Sequence, residues 1–200
     1  MSTTTISPTF YEADWVGLAK AGDGDAFREL VKYFDRRVFR IARLITQSDQ
    51  DAEDVLIQSF LKAYSDLDEC RENDKFWVWL FTITVREAFF KIHGRRQSPA
   101  LLDDVAESCE DGAVREISPW EDNYQERYSR EELASILEDA AQVLDPWCRA
   151  VFLLRDIEQF SIEDTAFALG VSIPVVKDRL LSARLELREK LTSHFTRTEH

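Results

Sequence analysis

Glycine and proline are scarce in this chain, at 6 and 5 of 200 residues. So few turn-makers disfavour a turn-rich β fold and favour long helices. Cysteine is scarce as well, and Cys70, Cys109 and Cys148 are odd in number and far apart. Such a set builds no disulfide framework, and reduced thiols in the cytoplasm are the simplest account. His93, His194 and His200 make no metal-ligand spacing with them, so no metal site is expected. No Ser/His/Asp set and no phosphate-cradling glycine loop is present, so neither an enzyme nor a cofactor is expected. No apolar run approaches the roughly 18 residues of a membrane span, which excludes membrane insertion. The opening MSTTTISPTF lacks the basic start and apolar core of a secretory signal.

A basic excess is missing too. The formal net charge is −13, whereas a free-standing DNA binder is usually basic. The charge is uneven. Residues 1–97 carry 14 basic and 16 acidic side chains, while residues 98–130 carry 3 and 9. Such a chain binds duplex DNA weakly by itself, but it can do so when a larger partner holds it there.

What is present is helical periodicity. Residues 161–191 read as two helices joined by a tight turn. Ile162, Thr165, Ala166 and Leu169 share one face, and Gly170 permits a left-handed backbone. Ser172 is an N-cap and Pro174 sits in the first turn of the second helix. That helix buries Val176, Leu180, Ala183 and Leu187 and turns Lys177, Arg179, Arg184 and Arg188 outward. The pattern is that of a helix-turn-helix with a second helix sized for the major groove. The same corner also occurs in all-helical domains that bind nothing, so the rest of the chain has to decide.

Upstream, helices are expected over about 11–21, 26–45, 50–67 and 76–93. Asp23 or Asp25 caps the second and Ser48 the third. The third begins with acids that suit its N-terminal dipole. Its inward stripe is Ala52, Val55, Leu56, Ser59, Phe60 and Ala63, with Asp54 and Gln58 on a polar ridge. The fourth opens FWVWLF, whose aromatics cannot all lie on one face, so some are partly exposed. Aromatics beside a basic tail, here Arg86, Lys91, His93, Arg95 and Arg96, can stack on unpaired bases. Residues 98–130 are acidic and Pro-marked and read as a flexible tether. Helices over 131–144 and 147–157 precede the helix-turn-helix. The fold class is therefore all-α: residues 1–11 disordered, one helical domain over 12–97, the linker 98–130, and a second helical domain over 131–195.

Taken together, these segments resemble an extracytoplasmic-function sigma factor of the sigma-70 family, the small promoter-recognition subunit of bacterial RNA polymerase. GDGDAFRELVKYF, DAEDVLIQSFLKAY and FWVWLFTITVREAFFKIHGRR are similar to sigma region two, and LDPWCRAVFLLRDIEQFSIEDTAFALGVSIPVVKDRLLSARLELREKL to region four. The resemblance implies core RNA polymerase and promoter DNA as partners, with an anti-sigma protein as a further candidate. It implies polymerase docking through Asp51, Glu53, Asp54, Gln58 and Phe60. It implies minus-ten contacts from Arg71, Asn73, Lys75, Trp77, Arg86, His93, Arg95 and Arg96. It implies minus-thirty-five contacts from Ser172, Val175, Lys177, Arg179 and Arg184. The chain departs from the family at Ile57, where Gln is usual, at Arg86, where Asn is usual, and at Val175, Asp178 and Ser182 in the recognition helix. Two other readings compete: a helix-turn-helix regulator that binds an operator as a dimer, and a degenerate sigma-like protein acting only through protein partners. The first half, with its aromatics beside a basic tail, argues against the former.

Overall fold

The computed structural model describes residues 9–94 and 140–198, with side chains over 12–94 and 140–192. Among these residues there are seven α-helices and no strand. Helix α1 spans Thr9–Lys20, α2 Gly24–Thr46, α3 Asp49–Ser65 and α4 Phe76–His93. After the undescribed stretch come α5 (Pro146–Phe152), α6 (Ile162–Leu169) and α7 (Ile173–Thr198). The linker and the helix expected over 131–144 lie almost wholly outside the described residues.

Local chemistry sets the boundaries. Asp23 accepts from the N–H groups of Asp25 and Ala26 at the head of α2, and Ser48 from that of Asp51 at the head of α3. Asp145 does the same for Trp147 and Cys148, with Pro146 just inside α5. Each cap satisfies donors that a helix start leaves orphaned. The bound expected for α4 is the bound observed.

The first half packs α2, α3 and α4 around Leu30, Phe34, Val38, Ile41, Ile45, Phe76, Leu80 and Phe81, all essentially inaccessible. Phe34 meets Phe81 edge-on at 6.0 Å, a favoured aromatic geometry. In the second half, Ala141, Leu144, Cys148, Phe152, Ala183 and Leu187 form a smaller core between α5 and α7.

The expected helix over 147–157 is interrupted. Residues Leu153–Ile157 form a single π-turn, closed by the Glu158 N–H on the Leu153 carbonyl at 2.9 Å. Gln159 then takes a left-handed φ of 60°. π-turns inside helices redirect the chain. Here the result is that Glu158 and Phe160 face the first half.

The two halves are therefore in contact, and their buried residues form one continuous apolar cluster from Val16 to Leu180. Helix α6 lies along α4, and α5 touches α2. Phe160 stacks on Phe81 at 6.0 Å and stands edge-on to Trp77 at 4.7 Å. Trp147 stacks on Phe89 at 4.1 Å. Buried Arg149 donates to the carbonyls of Ala141 and Gln142 in its own half and, at 2.8 Å, to that of Leu44 near the end of α2. A cation at a helix C-terminus satisfies carbonyls with no intrahelical partner and suits the helix dipole.

Candidate nucleic-acid and polymerase interface

The helix-turn-helix has the expected corner. Ser161 caps α6, accepting from Asp164 N at 2.9 Å. Gly170 ends α6 with φ 68° and ψ 30°, a left-handed conformation that a Cβ would strain. The Val171 N–H then reaches back to the Ala166 carbonyl at 3.0 Å. In α7, Val176, Leu180, Ala183 and Leu187 face inward as their spacing requires.

The outward residues of α7 are not equivalent. Ser172 and Lys177 are exposed, and Val175 is half-buried. Arg179 is mostly covered, with its guanidinium 3.9 Å from Asp145 and 5.9 Å from the Trp147 ring centroid. Arg184 makes a two-pronged pair with Asp156, at 2.9 and 2.6 Å. Hydrogen bonding to Asp156 raises its pKa further. Asp178 is half-buried on the same helix.

In the first half, the loop between α3 and α4 contains two three-ten turns, Leu67–Glu69 and Asn73–Lys75. Arg71 and Lys75 are exposed, and Lys75 pairs with Glu72 at 3.0 Å. Asn73 is half-buried and accepts from Lys20 Nζ at 2.7 Å. Trp77 is half-buried against Phe160. Arg86 is exposed, and His93 is exposed and stacked on Phe89. Arg95 and Arg96 lie outside the described residues. Of the four leading aromatics of α4, Phe76 and Phe81 are buried and Trp77 and Trp79 half-buried, as helical geometry requires.

Helix α3 requires a correction. Phe60 is only 9% exposed and belongs to the core with Ala52, Val55 and Ala63, so its ring is not free for a partner. Glu53, Asp54 and Gln58 are exposed, and Asp51 is half-exposed. Beside them runs an apolar stripe missed in the sequence: Ile57, Leu61 and Tyr64, exposed by 54%, 58% and 59%. Their spacing of four and three puts them on one face. Ile57 is one of the departures noted above, and an exposed aliphatic residue there is the signal that could have revealed the stripe. Scattered apolar residues are ordinary on a surface, whereas these three adjoin on one helix face.

Among the described residues no group of His, Cys, Asp and Glu is placed to hold a metal ion, and no helix is long and apolar enough to cross a membrane.

The family model for sigma-70 region 2 matches residues 30–98, and that for sigma-70 region 4 matches residues 134–187. The ECF RNA polymerase sigma-E factor of Salmonella typhimurium is 31% identical over 174 residues, covering 85% of this chain and 88% of that protein. The RNA polymerase sigma-H factor of Pseudomonas aeruginosa is 28% identical over 167 residues, covering 82% and 84%. Among solved structures, CnrH in complex with the cytosolic domain of CnrY matches with a TM-score of 0.61 at 23% identity, covering 92% of this chain and 98% of that one. The sigma factor RpoE of Bartonella quintana, in complex with the anti-sigma factor NepR, matches with a TM-score of 0.58 at 23% identity, covering 83% and 96%. With region two followed by region four on one helical chain, the protein belongs to the extracytoplasmic-function sigma factors of the sigma-70 family, non-enzymatic subunits that bind core RNA polymerase and direct it to promoter DNA.

Proposed function

We propose a residue-level division of this sigma activity. The exposed face of α3, with Asp51, Glu53, Asp54 and Gln58 flanking Ile57 and Leu61, docks on core polymerase. Apolar side chains ringed by polar ones suit a protein interface. The loop Asp68–Lys75, with Arg71, Asn73 and Lys75, takes single-stranded minus-ten bases. Trp77, Arg86 and His93 extend that surface along α4, and Arg95 and Arg96, next in the sequence, are assigned to the same role. The start of α7 enters the major groove at the minus-thirty-five element. Ser172, Val175 and Lys177 lead, while Arg179 and Arg184 are presented by Asp145 and Asp156.

The observation that carries this reading is the capped, Gly-turned helix-turn-helix, which leaves Lys177 exposed at the edge of the buried face made by Val176 and Leu180. Transcription takes place in the cytoplasm, and the chain works there. Two structurally similar proteins are seen bound by CnrY and by an anti-sigma factor. A protein of that kind is the regulator we assign to this chain.

The test is promoter affinity of the holoenzyme against salt. Lys177→Ala lowers it by about 1–3 kcal/mol if the side chain reads a base edge, or uniformly across promoters with a shallower salt slope if it meets phosphate. Asp178→Ser raises affinity by removing a like charge from the approach to DNA. Unchanged affinity in both variants on every promoter removes α7 from the DNA interface.

A further inference from the structure

Helix α4 begins without a cap of its own. Lys75 occupies the cap position and makes no side-chain hydrogen bond to the helix. The missing acceptor comes from α1, 65 residues earlier: Glu12 Oε1 accepts from the Trp77 N–H at 3.0 Å. One helix seals the other because a buried orphan donor is costly and a carboxyl oxygen supplies its acceptor. From the same α1, Lys20 donates to the Cys70 carbonyl and to Asn73 Oδ1. The loop's own bonds are short-range: Cys70 N to Leu67 O at 3.2 Å and Lys75 N to Glu72 O at 3.0 Å. Helix α1 precedes the matched region-two segment, which starts at residue 30.

We infer that Glu12 and Lys20 are positioning residues for minus-ten recognition. They fix the loop Cys70–Lys75 and the start of α4 from behind, without touching DNA. This rests on the reading that the loop takes the minus-ten bases. Charged and titratable groups facing Glu12 are Arg37 from α2, Asp74 from the second three-ten turn and Cys70 from the loop.

The experiment uses the full chain bound to core polymerase and measures affinity for a single-stranded minus-ten oligonucleotide and a scrambled one. Lys20→Met and Glu12→Leu each lose about tenfold of the preference for the minus-ten strand, an energy of about 1.4 kcal/mol. Affinity for core polymerase stays at the parent value. Glu12→Gln, which keeps the acceptor, restores the preference. Equal loss of core affinity and strand preference, or no recovery in Glu12→Gln, overturns the positioning role in favour of general stability. A parent holoenzyme with no preference over the scrambled strand overturns the minus-ten reading itself, and this inference with it.

Discussion

Asp54 and Lys91 meet at 2.7 Å, Oδ2 to Nζ, and Lys91 also reaches Asp51 at 3.3 Å. The pair ties the acidic start of α3 to the end of α4. The acids expected to face polymerase are thus held in place by the helix expected to face DNA. Hydrogen bonds to Asp54 and Asp51 raise the Lys91 pKa, so the ammonium stays charged. The contact is exposed and contributes little to stability.

The first prediction concerns the docking face. Asp54→Ala with Gln58→Ala should weaken binding to core polymerase and leave helicity unchanged. Ile57→Asp with Leu61→Asp should weaken it more, by about 2 kcal/mol or more, because each leaves an unpaired charge buried in the interface. A titration of labelled core polymerase measures both. Parent affinity in the second variant would remove the α3 stripe from the interface.

A second prediction concerns pH. Burial pushes the Glu12 carboxyl up to about 7, while the Trp77 N–H and the Arg37 charge pull it down and Asp74 pushes it up. A folded pKa above the ordinary carboxylate value means that the folded chain binds the proton more tightly than the unfolded one. Stability linked to Glu12 is therefore complete below about pH 4.5, falls as pH rises, and is lost above about 7. The change is at most about 3 kcal/mol. Comparing parent and Glu12→Gln by denaturant unfolding at pH 5 and pH 8 isolates it, since other groups titrate in both. The parent should lose more stability than the variant. Equal losses would contradict the burial argument.

The thiols offer a third test. Burial pushes Cys148 up to about 12, with the Asp145 hydrogen bond and charge adding to it, and burial also raises Cys70. Thiolate is the reactive form, so both should resist a thiol reagent at pH 8 until the chain is denatured. Rapid labelling of Cys148 in the native protein would show that the α5–α7 core opens freely.

Much of the local structure was legible because it is written in short-range chemistry. Asp23, Ser48, Asp145 and Gly170 act within a turn of their own positions, and α4 has a hydrophobic run long enough to set its own bounds. The inward face of α7 followed from spacing alone. What escaped was tertiary. Glu12 reads as an ordinary surface acid of α1, and only folding brings it to an uncapped helix 65 residues away. Arg149 reads as a solvated base, yet it is buried under backbone carbonyls from both halves. The π-turn at Leu153–Ile157 leaves no periodic trace, so Glu158 and Phe160 gave no sign of facing the first half. On α3, apolar residues run most of the way round the helix. Spacing put Phe60 inward, where it packs, so its docking role came from the resemblance alone, and Ile57, Leu61 and Tyr64 were not seen as one stripe.

The central claim is that this chain directs core polymerase to promoters through both of its halves. Run-off transcription with purified core polymerase tests it most directly, using a template library randomised over the minus-thirty-five and minus-ten positions. The account predicts transcripts that depend on added chain and select defined sequences at both positions, with the minus-thirty-five preference altered in Lys177→Ala. Transcripts no more abundant than with core polymerase alone, from a chain shown to bind it, would contradict the account.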